Sequence, residues 1–142
     1  MTQDEYFASL DSKLSELIKM DWLREPVQDT HAQMVKQIFT NGEDENGTKD
    51  KYKEGSYKEY RRKRGRQVGY VDLILEGDLF RDFSTTVVKI GNSWVTGVKR
   101  PINANKIDGM INLYGDRKFK LQEKEKEEFV KRVRAKILSI LQ

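Results

Sequence analysis

The sequence contains no cysteine, which excludes disulfides, thiol nucleophiles and cysteine-based zinc sites. It has one histidine, so a metal site would depend almost entirely on carboxylates. It has neither a Gly-x-Ser-x-Gly elbow nor a Gly-Lys-Ser/Thr phosphate loop, so acyl hydrolysis and nucleotide-driven chemistry have no motif. No apolar run approaches the roughly 18 residues that span a bilayer, and the N-terminus is acidic. We expect a soluble protein made in a cytoplasm, with no metal, no cofactor and no membrane partner.

The length of 142 residues predicts a single structural domain, residues 1–142. Hydrophobic residues make up 37% of the chain and charged residues 35%, and the mean hydropathy is -0.79. These values lie near the polar limit for a free globular monomer. Much of the surface is therefore expected to stay in water or to meet a partner.

Residues 40–69, which we call the inserted segment, contain only one aliphatic side chain, Val68. The segment holds nine of the 27 Lys and Arg residues but only six of the 23 Asp and Glu residues, so the rest of the chain is nearly neutral. So little apolar area cannot offset the conformational entropy lost on ordering. We predict that the inserted segment is a long extended basic arm that forms no core and becomes ordered only against a partner.

The rest of the chain predicts an α+β fold, with amphipathic helices packed on a small antiparallel β-sheet. The first helix, at 4–20, carries a stripe of Phe7, Leu10, Leu14, Leu17 and Ile18. The other predicted elements are a helix from Pro26 to about residue 41, an ambiguous element at 70–75, a helical turn at 79–83 capped by Asp78, a hairpin of 84–90 and 93–98, a helix at 104–114 and a long C-terminal helix at 122–141.

The sequence gives little support to a catalytic function. His31 lies on the apolar stripe of the second helix, where a packed imidazole is far more common than a catalytic base. A dense carboxylate cluster, Asp72, Glu76, Asp78 and Asp82, permits a Mg²⁺-dependent nuclease, but the same residues suit caps and turns around Gly77. The acidic string at 43–47 lacks the ligand spacing of a calcium loop. We predict no catalytic residues and no metal ligands.

The basic end of the inserted segment is the candidate interaction site. Its cations could neutralise phosphates while its tyrosines stack on bases, but a solvated loop or a docking arm for an acidic neighbour has the same composition. The residues predicted to contact a partner or DNA are Tyr52, Tyr57, Lys58, Tyr60, Arg61, Arg62, Lys63, Arg64 and Arg66.

Several short motifs, taken in order, resemble a pattern in tailed-bacteriophage neck and tail-completion proteins, namely the virion-morphogenesis and minor tail-component families. They are Ile38-Phe39-Thr40-Asn41-Gly42, Asn46-Gly47, Tyr52, Tyr57, Arg64-Gly65-Arg66-Gln67, Val71-Asp72-Leu73 and Glu76-Gly77-Asp78-Leu79, followed by Leu113-Tyr114-Gly115-Asp116-Arg117, Phe119-Lys120-Leu121 and Glu123-Lys124-Glu125-Lys126.

The resemblance implies a non-enzymatic structural virion protein that assembles as a homo-oligomeric ring at the head-to-tail junction. Its partners would be adjacent portal, neck or tail proteins, with possible non-specific contact to phage DNA in the channel. Its location would be the neck or tail of the virion. The alternative is a small nucleic-acid-binding protein that uses the basic segment 58–66. A metal-dependent nuclease centred on Asp72, Glu76 and Asp78 is a third hypothesis.

Overall fold

A computed structural model describes residues 1–18, 21–74, 77–91 and 93–142. Six α-helices lie in the described chain: α1 (Gln3–Ile18), α2 (Arg24–Val35), α3 (Ser56–Lys63), α4 (Asp78–Thr85), α5 (Pro101–Tyr114) and α6 (Glu123–Leu141). Two strands, β1 (Val87–Ile90) and β2 (Ser93–Thr96), form an antiparallel hairpin between α4 and α5. Short 3₁₀ turns occupy Asp21–Leu23 and Asp116–Phe119, and a π-helical turn, Lys36–Thr40, extends α2. The predicted α+β class is confirmed.

The N-terminal half of the fold follows the apolar periodicity. Helix α1 begins with a capping box, in which the Thr2 backbone N–H donates to Glu5 Oε2 at 2.8 Å and the Glu5 N–H donates to Thr2 Oγ1 at 3.1 Å. Helix α2 begins at Arg24, which places Pro26 in the first turn, where its missing N–H costs no helical bond. The predicted helix end at 19–20 and the side chains of Leu17 and Ile18 lie outside the described residues.

The core lies at the centre of the chain rather than along the terminal helices. Its buried apolar residues are Ile38, Phe39, Tyr52, Val71, Leu73, Leu79 and Phe83. The Phe39 ring lies 5.4 Å from the Phe80 ring and 5.6 Å from the Phe83 ring, so the π-helical turn packs directly on α4. Helix α2 also contacts α6, and α4 also contacts α5.

The hairpin pairs Val87 with Thr96 and Ile90 with Ser93. Gly91 has φ 60°, a left-handed conformation that a tight hairpin turn requires and that glycine adopts without strain. The strands are shorter than the sequence predicted, and the second turn residue, Asn92, is outside the described chain. Helix α5 begins at Pro101, so this proline opens a helix as well as closing the hairpin region.

The prediction for residues 78–83 is correct in kind but misplaces the cap. Helix α4 begins at Asp78 itself, and the residue before it, Gly77, lies at its N-terminal boundary with φ 85°. Asp78 therefore contributes its charge to the first turn of the helix, where a carboxylate is favoured by the helix dipole. The ambiguous stretch at 71–74 is irregular backbone, and residues 75 and 76 are not described.

The inserted segment is not an extended arm, and this part of the prediction is wrong. Residues 56–63 form α3, and the segment packs on the rest of the chain. Tyr52 belongs to the core at 7% exposure, and the Val71 backbone N–H donates to the Asp50 carbonyl at 2.8 Å. The prediction counted aliphatic residues only, whereas a tyrosine ring and an arginine stem also supply apolar area.

Candidate functional site

The structure divides the nine predicted interaction residues into an inner and an outer group. Arg61 is fully buried and Tyr52 almost so, and both therefore serve the fold. Their assignment to a partner-contacting arm is corrected, because a buried side chain offers no surface to a partner. The side chains that remain partly or fully exposed are Tyr57, Lys58, Tyr60, Arg62, Lys63, Arg64 and Arg66.

Arg61 is the centre of a buried polar network that holds the inserted segment in place. Its Nη2 lies 2.9 Å from Asp72 Oδ1, and its Nη1 donates to the Ile74 carbonyl at 2.8 Å. The guanidinium also donates to the Gln67 carbonyl and lies 4.5 Å from the centre of the Tyr52 ring. A planar fork with five donors suits such a site, since every donor that faces the interior needs an acceptor.

Asp72 completes this network and shapes the backbone that follows. Its Oδ1 also accepts from the Ile74 backbone N–H at 3.0 Å. This turn surrounds Leu73, which has φ 61° and is the only residue other than glycine with positive φ in the described chain. Such a conformation costs a branched residue about 1–2 kcal/mol. The burial of Leu73 and the bonds of Asp72 hold the backbone in this state.

The outer face of α3 is a basic surface. Arg62, Lys63, Arg64 and Arg66 are exposed at the C-terminal end of the helix, where the helix dipole favours cations. Arg62 pairs with Glu59, and the Arg64 guanidinium lies 5.0 Å from the centre of the Tyr60 ring. This surface can attract phosphate or carboxylate groups, and it carries an aromatic ring beside the cations.

Tyr57 faces a second feature, an apolar groove of about 520 Å³ between the inserted segment and α5. Its ring lies 5.9 Å from that of Tyr52, edge to face. The other large side chains that line the groove are Leu73, Leu79, Met110, Leu113 and Tyr114. Sequence reasoning missed this groove because its two walls are about 50 residues apart in the chain.

The carboxylates considered for a nuclease have structural partners. Asp72 binds Arg61, and Asp78 pairs with Arg100. Asp82 accepts hydrogen bonds from the backbone N–H groups of Lys99 and Arg100 at 2.9 and 3.0 Å, which hold its pKa well below the ordinary value. Glu76 lies outside the described residues. Within those residues, no three His, Asp or Glu side chains converge as a metal ion requires.

A second charged cluster, which sequence reasoning missed, joins the start of the inserted segment to the turn before α6. Arg117 pairs with Asp44 and, at 2.8 Å, with Asp50. Asp44 also accepts from the backbone N–H groups of Asn46 and Thr48 at 2.8 and 2.9 Å. Burial alone would raise the pKa of Asp44, but these bonds outweigh it and lower the pKa. The spacing Asp-x-Asn is typical of such a turn and could have indicated it.

Lys118 lies fully buried beside this cluster, and its Nζ donates to the Gly42 carbonyl at 2.6 Å. Burial lowers the pKa of Lys118, whereas the charges of Asp50 and Asp44 oppose that shift. A buried lysine that contacts a carbonyl and lies 3.8 Å from a carboxylate is explained by the fold itself.

His31 is buried, in agreement with the packed imidazole that the sequence favoured. Its Nε2 lies 2.8 Å from the Phe83 carbonyl oxygen, and its ring stacks on the Phe83 ring at 5.3 Å. Burial lowers the pKa of His31 below 6.5. The neutral imidazole, with Nε2 as the donor, fits this site.

The terminal helices leave large apolar side chains in solvent. Helix α6 has no fully buried residue, although its stripe of Phe129, Val133, Ile137 and Ile140 is half-buried. Exposed side chains on α1 are Tyr6, Phe7 and Leu14, and those on α6 are Val130, Leu138 and Leu141. Helix α1 contacts α6 and the turn at Asp21–Leu23. These faces are available to another molecule.

Comparison of the chain with known protein families, characterised proteins and solved structures gives no match. The resemblance to phage neck and tail-completion proteins therefore stays a prediction. In the described residues, none of the helices is both long enough and apolar enough to cross a bilayer.

Proposed function

We propose that this chain is a structural virion protein of a tailed bacteriophage, a head-to-tail connector, neck or tail-completion subunit that assembles into a ring. The observation that carries the proposal is the exposed apolar surface of the two terminal helices. The stripe of helix α6 is only half-buried at Phe129, Val133, Ile137 and Ile140, and Val130, Leu138 and Leu141 are exposed, so a partner surface would bury further apolar area.

The order in which the short motifs occur along the inserted segment supports the same proposal. In this fold Tyr52 and Arg61 fix the segment to the core, while its basic outer face points to solvent. A rigid basic surface repeated around a ring would line a channel or meet an acidic neighbouring ring. Closed symmetry multiplies a modest interface, which suits a small chain with a limited core.

The proposal is tested by the mass of the purified protein in solution, measured by light scattering at rising concentration and at several salt concentrations. We expect one discrete oligomer of fixed subunit number. A mass near 16.7 kDa at every concentration would reject a self-assembling ring.

The second candidate is a small nucleic-acid-binding protein, and the exposed basic face of α3 favours it. Arg61 is buried, so this function would rest on Arg62, Lys63, Arg64 and Arg66. Affinity for duplex DNA should then fall steeply with salt, and replacement of these four residues by Gln should flatten the salt dependence. Binding that does not respond to salt, or no binding, would eliminate this candidate.

A further inference from the structure

The groove between the inserted segment and α5 has the character of a helix-docking site. It is lined by aromatic and flexible aliphatic side chains, including Tyr57, Met110 and Leu113, and Leu113 is 69% exposed. Methionine adapts its shape to an incoming surface, and tyrosine contributes a large contact area at low entropic cost. Three such side chains along a groove suit an amphipathic helix that presents anchors on one face.

The groove is lined by one cation and one anion. Lys106 lines it and has no ion-pair partner in the described part of the chain, whereas the negative charge of Asp78 is compensated by Arg100. An occupant with acidic residues beside its apolar face would neutralise Lys106. The need for acidic residues beside an apolar face distinguishes between the two terminal helices, α1 and α6, as occupants of the groove.

Helix α1 meets the requirement. Phe7, Leu10 and Leu14 follow the i, i+3, i+7 spacing of helix-in-groove anchors; Phe7 and Leu14 are 51% and 43% exposed, whereas Leu10 is half-buried in its own chain. Asp4 and Asp11 lie on the same helix, and neither has an ion-pair partner among residues that the structure describes. The helix is therefore apolar on one side, acidic beside it, and incompletely covered.

Near its acidic N-terminal part helix α6 has a single exposed apolar residue, Val130, and its apolar C-terminal end does not meet the requirement. Its exposed Leu138 and Leu141 follow four cations within residues 131–136, so its apolar end would bring positive charge to Lys106. Like charges brought together at an interface oppose binding. Of the two terminal helices, α1 is the one whose charge complements the groove.

We propose that α1 of one copy docks in the groove of the next copy, and this inference rests on the ring assembly proposed above. Helix α1 lies against α6 in its own chain, whereas the groove is formed by the inserted segment, residues 71–79 and α5. The two surfaces differ, so the contact is heterologous. Such a contact, repeated with a closing rotation, generates a ring rather than a two-fold dimer.

Crosslinking between copies tests the contact directly, because the chain has no cysteine of its own. One preparation carries Phe7→Cys and a second, of different mass, carries Leu113→Cys. We expect a short bismaleimide reagent to join the two variants when they are mixed and allowed to assemble. Each variant alone should give little crosslinked product, since a heterologous contact does not bring identical positions together.

Point substitutions supply an independent readout. Phe7→Ser and Leu113→Ser should each raise the concentration at half-assembly about tenfold or more, the loss expected for one buried apolar anchor. Ile90→Ser is the matched control, because Ile90 is 63% exposed on the hairpin and belongs to neither surface.

Lys106→Glu should weaken assembly, and Lys106→Arg should preserve it. Circular dichroism checks that each variant remains folded.

The outcomes separate this inference from the ring itself. If a discrete oligomer persists in the Phe7 and Leu113 variants and no mixed crosslink forms, α1 does not dock in the groove, although the ring proposal stands. An effect of Leu113→Ser without one of Phe7→Ser would assign the groove to another occupant and overturn the inference. A wild-type protein that stays monomeric removes both proposals.

Discussion

At the scale of single residues, Arg61 determines where the inserted segment lies. Its guanidinium is fully buried, and its partner Asp72 is only 8% exposed. Removal of one member of a buried ion pair leaves the other charge without compensation, which is more costly than loss of a surface contact. The adjacent arginine, Arg62, is exposed and offers a control of the same type.

We expect Arg61→Ala to lower the free energy of unfolding by about 3–5 kcal/mol, because Asp72 is then buried without its partner. Arg62→Ala should change it by less than about 0.5 kcal/mol, as is usual for a surface substitution. Urea denaturation of both variants measures the difference. Equal effects would show that the buried pair does not hold the segment.

Gly42 is required for a close contact as well as for its backbone conformation. A β-carbon at this position would overlap Cδ2 of the Tyr70 ring, whereas one at Gly65 would meet nothing within 4 Å. Both glycines have φ near 70°, at +65° and +71°, so both alanine variants carry similar backbone strain. The unfolding free energy should fall further for Gly42→Ala than for Gly65→Ala, and equal losses in thermal or urea melts would argue against the Tyr70 contact.

His31 predicts how stability changes with pH. Its pKa in the folded state lies below 6.5, so the unfolded chain binds the proton more tightly. The stabilisation is complete well above pH 6.5, declines as the pH falls through 6.5, and is lost once the pH passes the lowered folded-state pKa. The carboxyls of Asp44 and Asp82 have pKa values lowered from 3.8, so their contribution is lost only in more acidic solution.

His31→Gln tests this pH dependence, since the chain has no other histidine and a glutamine amide can still donate to the Phe83 carbonyl. Urea midpoints of the wild-type protein should decrease as the pH falls through 6.5, and those of the variant should change much less. Parallel curves for the two proteins would show that His31 is not buried in its neutral form.

At the scale of elements, the long periodic segments were predictable and the inserted segment was not. Helices α1 and α6 follow from apolar residues at three- and four-residue steps, and the hairpin follows from β-branched runs around Gly91. The local residue pattern is therefore enough to predict where these elements lie. The inserted segment depends on Arg61 reaching Asp72 and on Tyr52 entering the core, and such long-range partners leave no periodic signal in a sequence.

The candidate site was predictable to a similar extent. Composition correctly indicated that the basic side chains at 62–66 are exposed, because removing a charged group from water is costly. It could not indicate that Arg61, in the same run, turns inward. The groove was beyond sequence reasoning, since Tyr57 and Leu113 meet only through the fold.

Hydrogen exchange tests the folded inserted segment at this scale. The backbone N–H groups of Asp44, Arg66 and Val71 donate to carbonyls at 2.8–2.9 Å, so they should exchange slowly in the intact chain. Arg61→Ala should speed exchange through residues 40–69, whereas Arg62→Ala should leave it unchanged. Rapid exchange throughout the wild-type segment would instead support the free arm that composition first suggested.

At the scale of the whole molecule, the distribution of apolar surface is uneven. The core is concentrated between the π-helical turn, the inserted segment and α4, while both terminal helices keep large apolar residues in solvent. Such a chain is expected to gain stability when copies bury those faces, and its melting temperature should then rise with protein concentration. The groove and α1 supply two different surfaces for this assembly.

Electron microscopy of the purified protein is the most direct test of the proposed ring assembly. We expect annular particles of uniform diameter, because a heterologous contact that closes on itself fixes the subunit number. Dispersed monomers at every concentration and salt condition, or open filaments in place of rings, would contradict it.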